Sequence, residues 1–169
     1  MRIQKCTKGG GKFTDTLYYD AESLGGILGC GGSNTLLKTS DRVFVGGGGN
    51  YLTEIVNSSG QPAKHTLPQL GSVTKIFGTT GAVIVQGKDT VGNGVILHYM
   101  ISTGAVTTVL EAGVYVISAM DVASNGDITF HGLRASDGAK ILANIPAGTS
   151  TVNIVSQSLP TVTRIQRIN

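Results

Sequence analysis

The chain has 169 residues, 40% of them hydrophobic, enough for one well-buried domain, and no stretch reaches the roughly 18 apolar residues of a membrane span. Its net charge of +3 comes from 13 Lys and Arg against 10 Asp and Glu, with no run of like charge and no Trp, which argues against a nucleic-acid surface of clustered cations and stacking rings. Glycine is abundant at 25 residues and charge is sparse at 14%, against usual shares of about 7% and about 25%, the profile of an all-β chain with short strands and many turns.

The chain opens on Arg2-Ile3-Gln4-Lys5-Cys6, a strand followed by a glycine run, and the same order recurs at Arg42-Val43-Phe44-Val45 with Gly46 to Gly49 behind it. Three turns precede an apolar strand: Thr39-Ser40-Asp41 before RVFV, Thr79-Thr80-Gly81 before AVIV, and Ser124-Asn125-Gly126 before DITF. Their last residues stand 40 and 45 positions apart. The closing glycines Gly60, Gly104 and Gly148 stand 44 apart, and SVTKI at 72–76 is echoed by TVTRI at 161–165 two periods later. A period of 40 to 45 residues with room for four short strands divides the chain into repeats of about 2–41, 42–81, 82–126 and 127–169. Within them Val43 and Val45, Val83 and Val85, and Ile128 and Phe130 hold equivalent inward positions, while Lys5 breaks the pattern in the first copy. Asn125-Gly126 reads as a two-residue hairpin turn with positive φ at both positions. In the third copy the four strands read as AVIVQG, GVILHYMI, AVTTVLEA and VYVISAM, and the glycines between Leu24 and Asn34 mark a loop or bulge.

Four antiparallel strands per 40 to 45 residues, repeated head to tail, resemble the β-propeller superfamily, in particular bacterial surface and periplasmic blades, since the Gly-His and Trp-Asp marks of WD repeats are absent. The resemblance covers nearly all 169 residues as a single domain, and a β-sandwich or β-solenoid with recurrent turns is the alternative. It implies that the C-terminal strand completes the N-terminal blade, giving a monomeric ring of four blades or a homodimer that completes a larger ring. It also implies that the first strand of each blade lines a central channel. Thr35, Lys75 and Arg164 align there, with Lys38, Asp121 and Arg167 nearby, so the expected site is a partly basic channel for an anion or acidic group.

No catalytic constellation stands out. His65, His98 and His131 are equally spaced, but the blade period carries them to three different strands, which speaks against a shared metal site. Asp121 to Gly126 imitates the start of a calcium loop, yet Ala123 and Gly132 occupy ligand positions, and the turn accounts for the residues better. No Gly-x-Ser-x-Gly elbow is present, and Leu37 replaces the last glycine of a phosphate loop before Lys38-Thr39. Cys6 and Cys30, expected two strands apart at about 10 Å, lie beyond the roughly 7 Å reach of a disulfide. The expected function is therefore a noncatalytic binding or scaffolding module that holds a protein or glycan partner on its loops, with no cofactor and no metal. A hydrolase or lyase acting at the channel mouth is the second expectation, and a structural repeat of a longer surface protein is the third. The resemblance points to a secreted, periplasmic or cell-surface setting, with any export signal outside this sequence.

Overall fold

The computed structural model describes residues 2–9, 12–20, 36–39, 41–47, 49–56, 62–157 and 165. Every regular element among them is a strand. β1 (Arg2–Gly9) and β2 (Lys12–Asp20) form an antiparallel hairpin. Three four-stranded sheets follow. The first holds β3 (Leu36–Lys38), β4 (Arg42–Val45), β5 (Tyr51–Val56) and β6 (Pro62–Thr66), and the second β7 (Ser72–Thr79), β8 (Ala82–Lys88), β9 (Gly94–Met100) and β10 (Val106–Leu110). The third holds β11 (Tyr115–Val122), β12 (Ile128–Arg134), β13 (Lys140–Ile145) and β14 (Asn153–Gln157). In each sheet the strands lie side by side in chain order, all antiparallel, and none closes into a barrel among the described residues.

The expected four-strand unit is therefore present, but its boundaries move by one strand. The repeats 42–81 and 82–126 each take the last three strands of one sheet and the first of the next, so VYVISAM begins the third sheet, where Tyr115 to Val122 pair with β12. The physical reason is that connections between sheets, 67–71 and 111–114, are as short and glycine-marked as the hairpin turns within them. Length and composition alone do not separate the two.

Register fixes which residues are equivalent. Val43 pairs with Ile55, Val83 with Tyr99 and Ile128 with Ile145; one pleat further, Val45 pairs with Thr53, Val85 with Leu97 and Phe130 with Ala143. The expected inward residues thus share one place in each sheet, and all six are buried. Alternation sends the residue between them to the opposite face: Phe44 opposite Glu54, Ile84 opposite His98, and Thr129 opposite Asn144.

Both faces of the second sheet are covered. Val83, Val85, Leu97 and Tyr99 pack with Phe44 and Leu52 of the first sheet, and Ile84 and Ile96 pack with Phe130, Ile141 and Ile145 of the third. Burying each such side chain contributes about 1.5–3 kcal/mol, so these two junctions hold the sheets together. The first strands also meet, since β7 touches both β3 and β11. β7 and β11 each carry a bulge, and opposite it stand Gly87 and Gly132, where a Cβ would run into the carbonyl oxygens of Ser72 and Val116. These glycines are 45 residues apart and mark the period as surely as the turns do.

The turn at Asn125-Gly126 differs from the expected two-residue form. Gly126 N donates to Ala123 O, and Ala123 N to Asp127 O, so Ser124 and Asn125 are the central pair and Gly126, at φ +98°, forms the bulge that rejoins the ladder. Asn125 is occupied locally, accepting from Asp127 N and donating to the Asp127 carboxylate. Asp89 to Asn93 repeats the form with Gly92 at the same φ of +98°. Cys30, the glycine loop from Leu24 to Asn34, and the strand TVTRI up to Arg164 lie outside the described residues, so the expected thiol state and the terminal blade closure do too.

Candidate functional site

Lys38 ends β3 and is exposed, while Lys75 on β7 and Asp121 on β11 are half-buried. Their strands are neighbours, yet no hydrogen bond or ion pair links the three side chains. Thr35, Arg164 and Arg167 lie outside the described residues. The expected anion site is thus represented by three separate residues on adjoining first strands.

The histidines fall as the period requires, on the fourth strand of the first sheet (His65), the third of the second (His98) and the second of the third (His131). Among the described residues no three His, Cys, Asp or Glu side chains gather closely enough to hold a metal ion. His131 is 2% exposed, with no partner for either ring nitrogen.

The junction of the first and second sheets encloses an ionic network. Glu54 is 5% exposed. The Arg42 guanidinium donates to its Oε1, His65 Nε2 lies 2.7 Å from its Oε2, and the Tyr99 hydroxyl of the second sheet donates to Oε2 at 3.5 Å. Arg42 also reaches Asp41 at 3.2 Å. The hydrogen bond to Glu54, then that to Asp41, raises the Arg42 pKa above its ordinary value. Tyr99 packs against Phe44 and His65, with ring centroids 6.1 and 5.0 Å away. Burial, reinforced by the Glu54 charge, pushes its phenol up to about 12. Glutamate at this depth is tolerated because both oxygens have partners.

The junction of the second and third sheets has the same geometry and different contents. His98 occupies the place of Glu54. The counterpart of Arg42 is Ala82, that of Tyr99 is Ile145, and that of His65, by pairing with Ile96 where His65 pairs with Leu52, is Leu110. None of the three can hydrogen-bond to His98 through its side chain. A groove of about 460 Å³ opens at this junction, lined by His98 but by none of these three residues. Its rim is built by the turns joining β7 to β8, β11 to β12 and β13 to β14, which antiparallel order places at one end of the sheets. Thr80 N reaches Ser124 O at 3.3 Å and Ala147 N donates to Asp127 Oδ1 at 2.8 Å, so these turns brace one another. Five threonines, Thr79, Thr80, Thr107, Thr108 and Thr149, line the groove with His98 and Asn125, and Ile84, Met100, Val109 and Ile128 supply its apolar wall. Among the described residues no Lys, Arg, Asp or Glu lines it.

Sequence reasoning placed the site on the first strands and missed both Glu54 and the groove. One signal was present: Glu54 and His98 are 44 residues apart, the spacing of the closing glycines.

No protein-family model and no curated protein matches this chain. Among solved structures it is similar in fold to the computationally designed Ika4 protein, at 17% identity and a TM-score of 0.57 over 80% of this chain and 79% of that one.

Proposed function

We propose that this chain is a noncatalytic binding module of β-propeller type, with the four-stranded sheets as blades and the groove between the second and third sheets as its ligand site. The single observation that carries the reading is the contrast at equivalent positions: Glu54 is engaged by Arg42, His65 and Tyr99, whereas the His98 imidazole lines a groove without a hydrogen-bond partner. A volume of about 460 Å³ suits a small ligand or the end of a larger one, since such sites commonly span about 300–1,000 Å³. The meander order of each sheet and the adjoining first strands support the propeller arrangement.

A hydrolase or lyase would rest on the meeting of Glu54 and His65 at 2.7 Å. Both residues belong to the first sheet, and Glu54 is committed to internal partners, which favours a structural clasp. The test is to screen the immobilised protein on glycan and peptide arrays and compare it with Thr107→Trp, whose indole would crowd the groove beside His98. A ligand retained by the wild type, lost by the variant, and recovered chemically unchanged supports the reading. Equal retention by both proteins, or conversion of the ligand, contradicts it.

A further inference from the structure

We infer that the groove between the second and third sheets takes a neutral saccharide, recognised through its hydroxyl groups. This rests on the groove being the ligand site and goes on to name the ligand's chemistry. The His98 imidazole makes no hydrogen bond, ion pair or ring contact, and the hydroxyl of Thr107, its cross-strand partner on β10, is equally unengaged. His98 is half-buried, so its ring is partly withdrawn from water without a protein group in return.

Complementarity narrows the class. An anionic ligand would call for a cation and an ammonium for a carboxylate, and neither a Lys or Arg nor an Asp or Glu is among the described residues of the groove wall. An imidazole ring nitrogen donates or accepts according to its tautomer, and a threonine hydroxyl both donates and accepts. The matching ligand group is one that also does both, an alcohol. Several alcohols on a compact frame with apolar C–H faces describe a sugar ring, whose C–H face fits against Ile84, Met100 and Val109. An extended peptide, the chief rival, would add a strand to β10, the outer edge of the second sheet. β10 is bulged between Thr108 and Leu110, which breaks the regular ladder such a strand needs.

The test is to titrate protein carrying 15N-labelled histidine with maltotriose, cellotriose, chitotriose and a neutral mannotriose at millimolar concentration, following the imidazole resonances. An unrelated extended hexapeptide library is titrated in parallel. A saccharide that shifts His98 while leaving His131 unmoved, and that binds about five- to tenfold more weakly to Thr107→Val, with the same loss for His98→Ala and partial recovery in His98→Gln, is the expected result. Since none of these residues supports another residue through a side-chain hydrogen bond, the variants should retain the wild-type melting temperature. A peptide that shifts His98 when no saccharide does overturns the saccharide assignment and leaves the groove as a binding site. No shift of His98 with either class overturns both.

Discussion

The two inter-sheet junctions share one backbone plan and diverge in chemistry. In the first, Glu54 is clasped by Arg42, His65 and Tyr99. In the second, Ala82, Leu110 and Ile145 hold the corresponding positions, none can engage the equivalent His98, and His98 lines a groove of about 460 Å³. The lesson is that a repeat holds its fold through the positions that are the same in each copy, here the apolar pairs Val43/Val45, Val83/Val85 and Ile128/Phe130. Positions that differ between copies are then free either to lock a junction or to open it.

If the apolar framework is common to both junctions, removing a large ring from either should cost the same. Phe44 and Phe130 are both 0% exposed, one in each junction. Phe44→Ala and Phe130→Ala should each lower unfolding free energy by about 3–5 kcal/mol in urea denaturation. A difference of several kcal/mol between them would break the comparison at its base.

The next effect separates the junctions. Arg42→Ala leaves the Glu54 carboxylate buried with His65 and a distant Tyr99 hydroxyl. Because the Arg42 side chain is 30% exposed, the loss should be smaller than that from breaking a fully buried pair, yet clearly measurable in urea denaturation. Ala82 offers no such interaction to remove, so Ala82→Gly in the second junction should reflect only strand propensity, within about 1 kcal/mol.

Tyr99→Phe should cost less than about 1 kcal/mol near neutral pH, because its hydrogen bond to Glu54 is long at 3.5 Å. Its distinctive effect lies in alkali. The phenol ionises near 10.0 in the unfolded chain and about 12 in the fold, so the folded state favours the protonated form. That contribution is complete below pH 10 and is lost as pH rises towards 12. Wild-type stability should therefore fall more steeply than that of Tyr99→Phe across this interval, and parallel curves would remove the phenol from the network.

Much of the fold was legible. The pairs Val43/Val45, Val83/Val85 and Ile128/Phe130 announced strands with one consistently buried face, and SVTKI was rightly read as a first strand in β7. The repeats 42–81 and 82–126 nonetheless cut each sheet after its first strand, because Leu67 to Gly71 between sheets resembles a hairpin loop in length and glycine content. The site was hidden for a different reason. A charged or catalytic residue announces itself by type, whereas the groove is lined by threonines and apolar residues drawn from two sheets and three turns that are separated in sequence. The pairing of Glu54 with Phe44, and of His98 with Ile84, puts the two copies in register and shows that His98 stands where Glu54 does.

The most direct test of this account is a side-by-side urea denaturation of Glu54→Ala and His98→Ala. These residues are equivalent in backbone position, and the account assigns one to holding the fold and the other to meeting a ligand. It predicts a loss of about 3 kcal/mol for Glu54→Ala, which leaves Arg42 and His65 without their shared carboxylate, and less than about 0.5 kcal/mol for His98→Ala. Equal losses would mean that His98 supports the junction as Glu54 does, and the division between a locked and an open junction would be wrong.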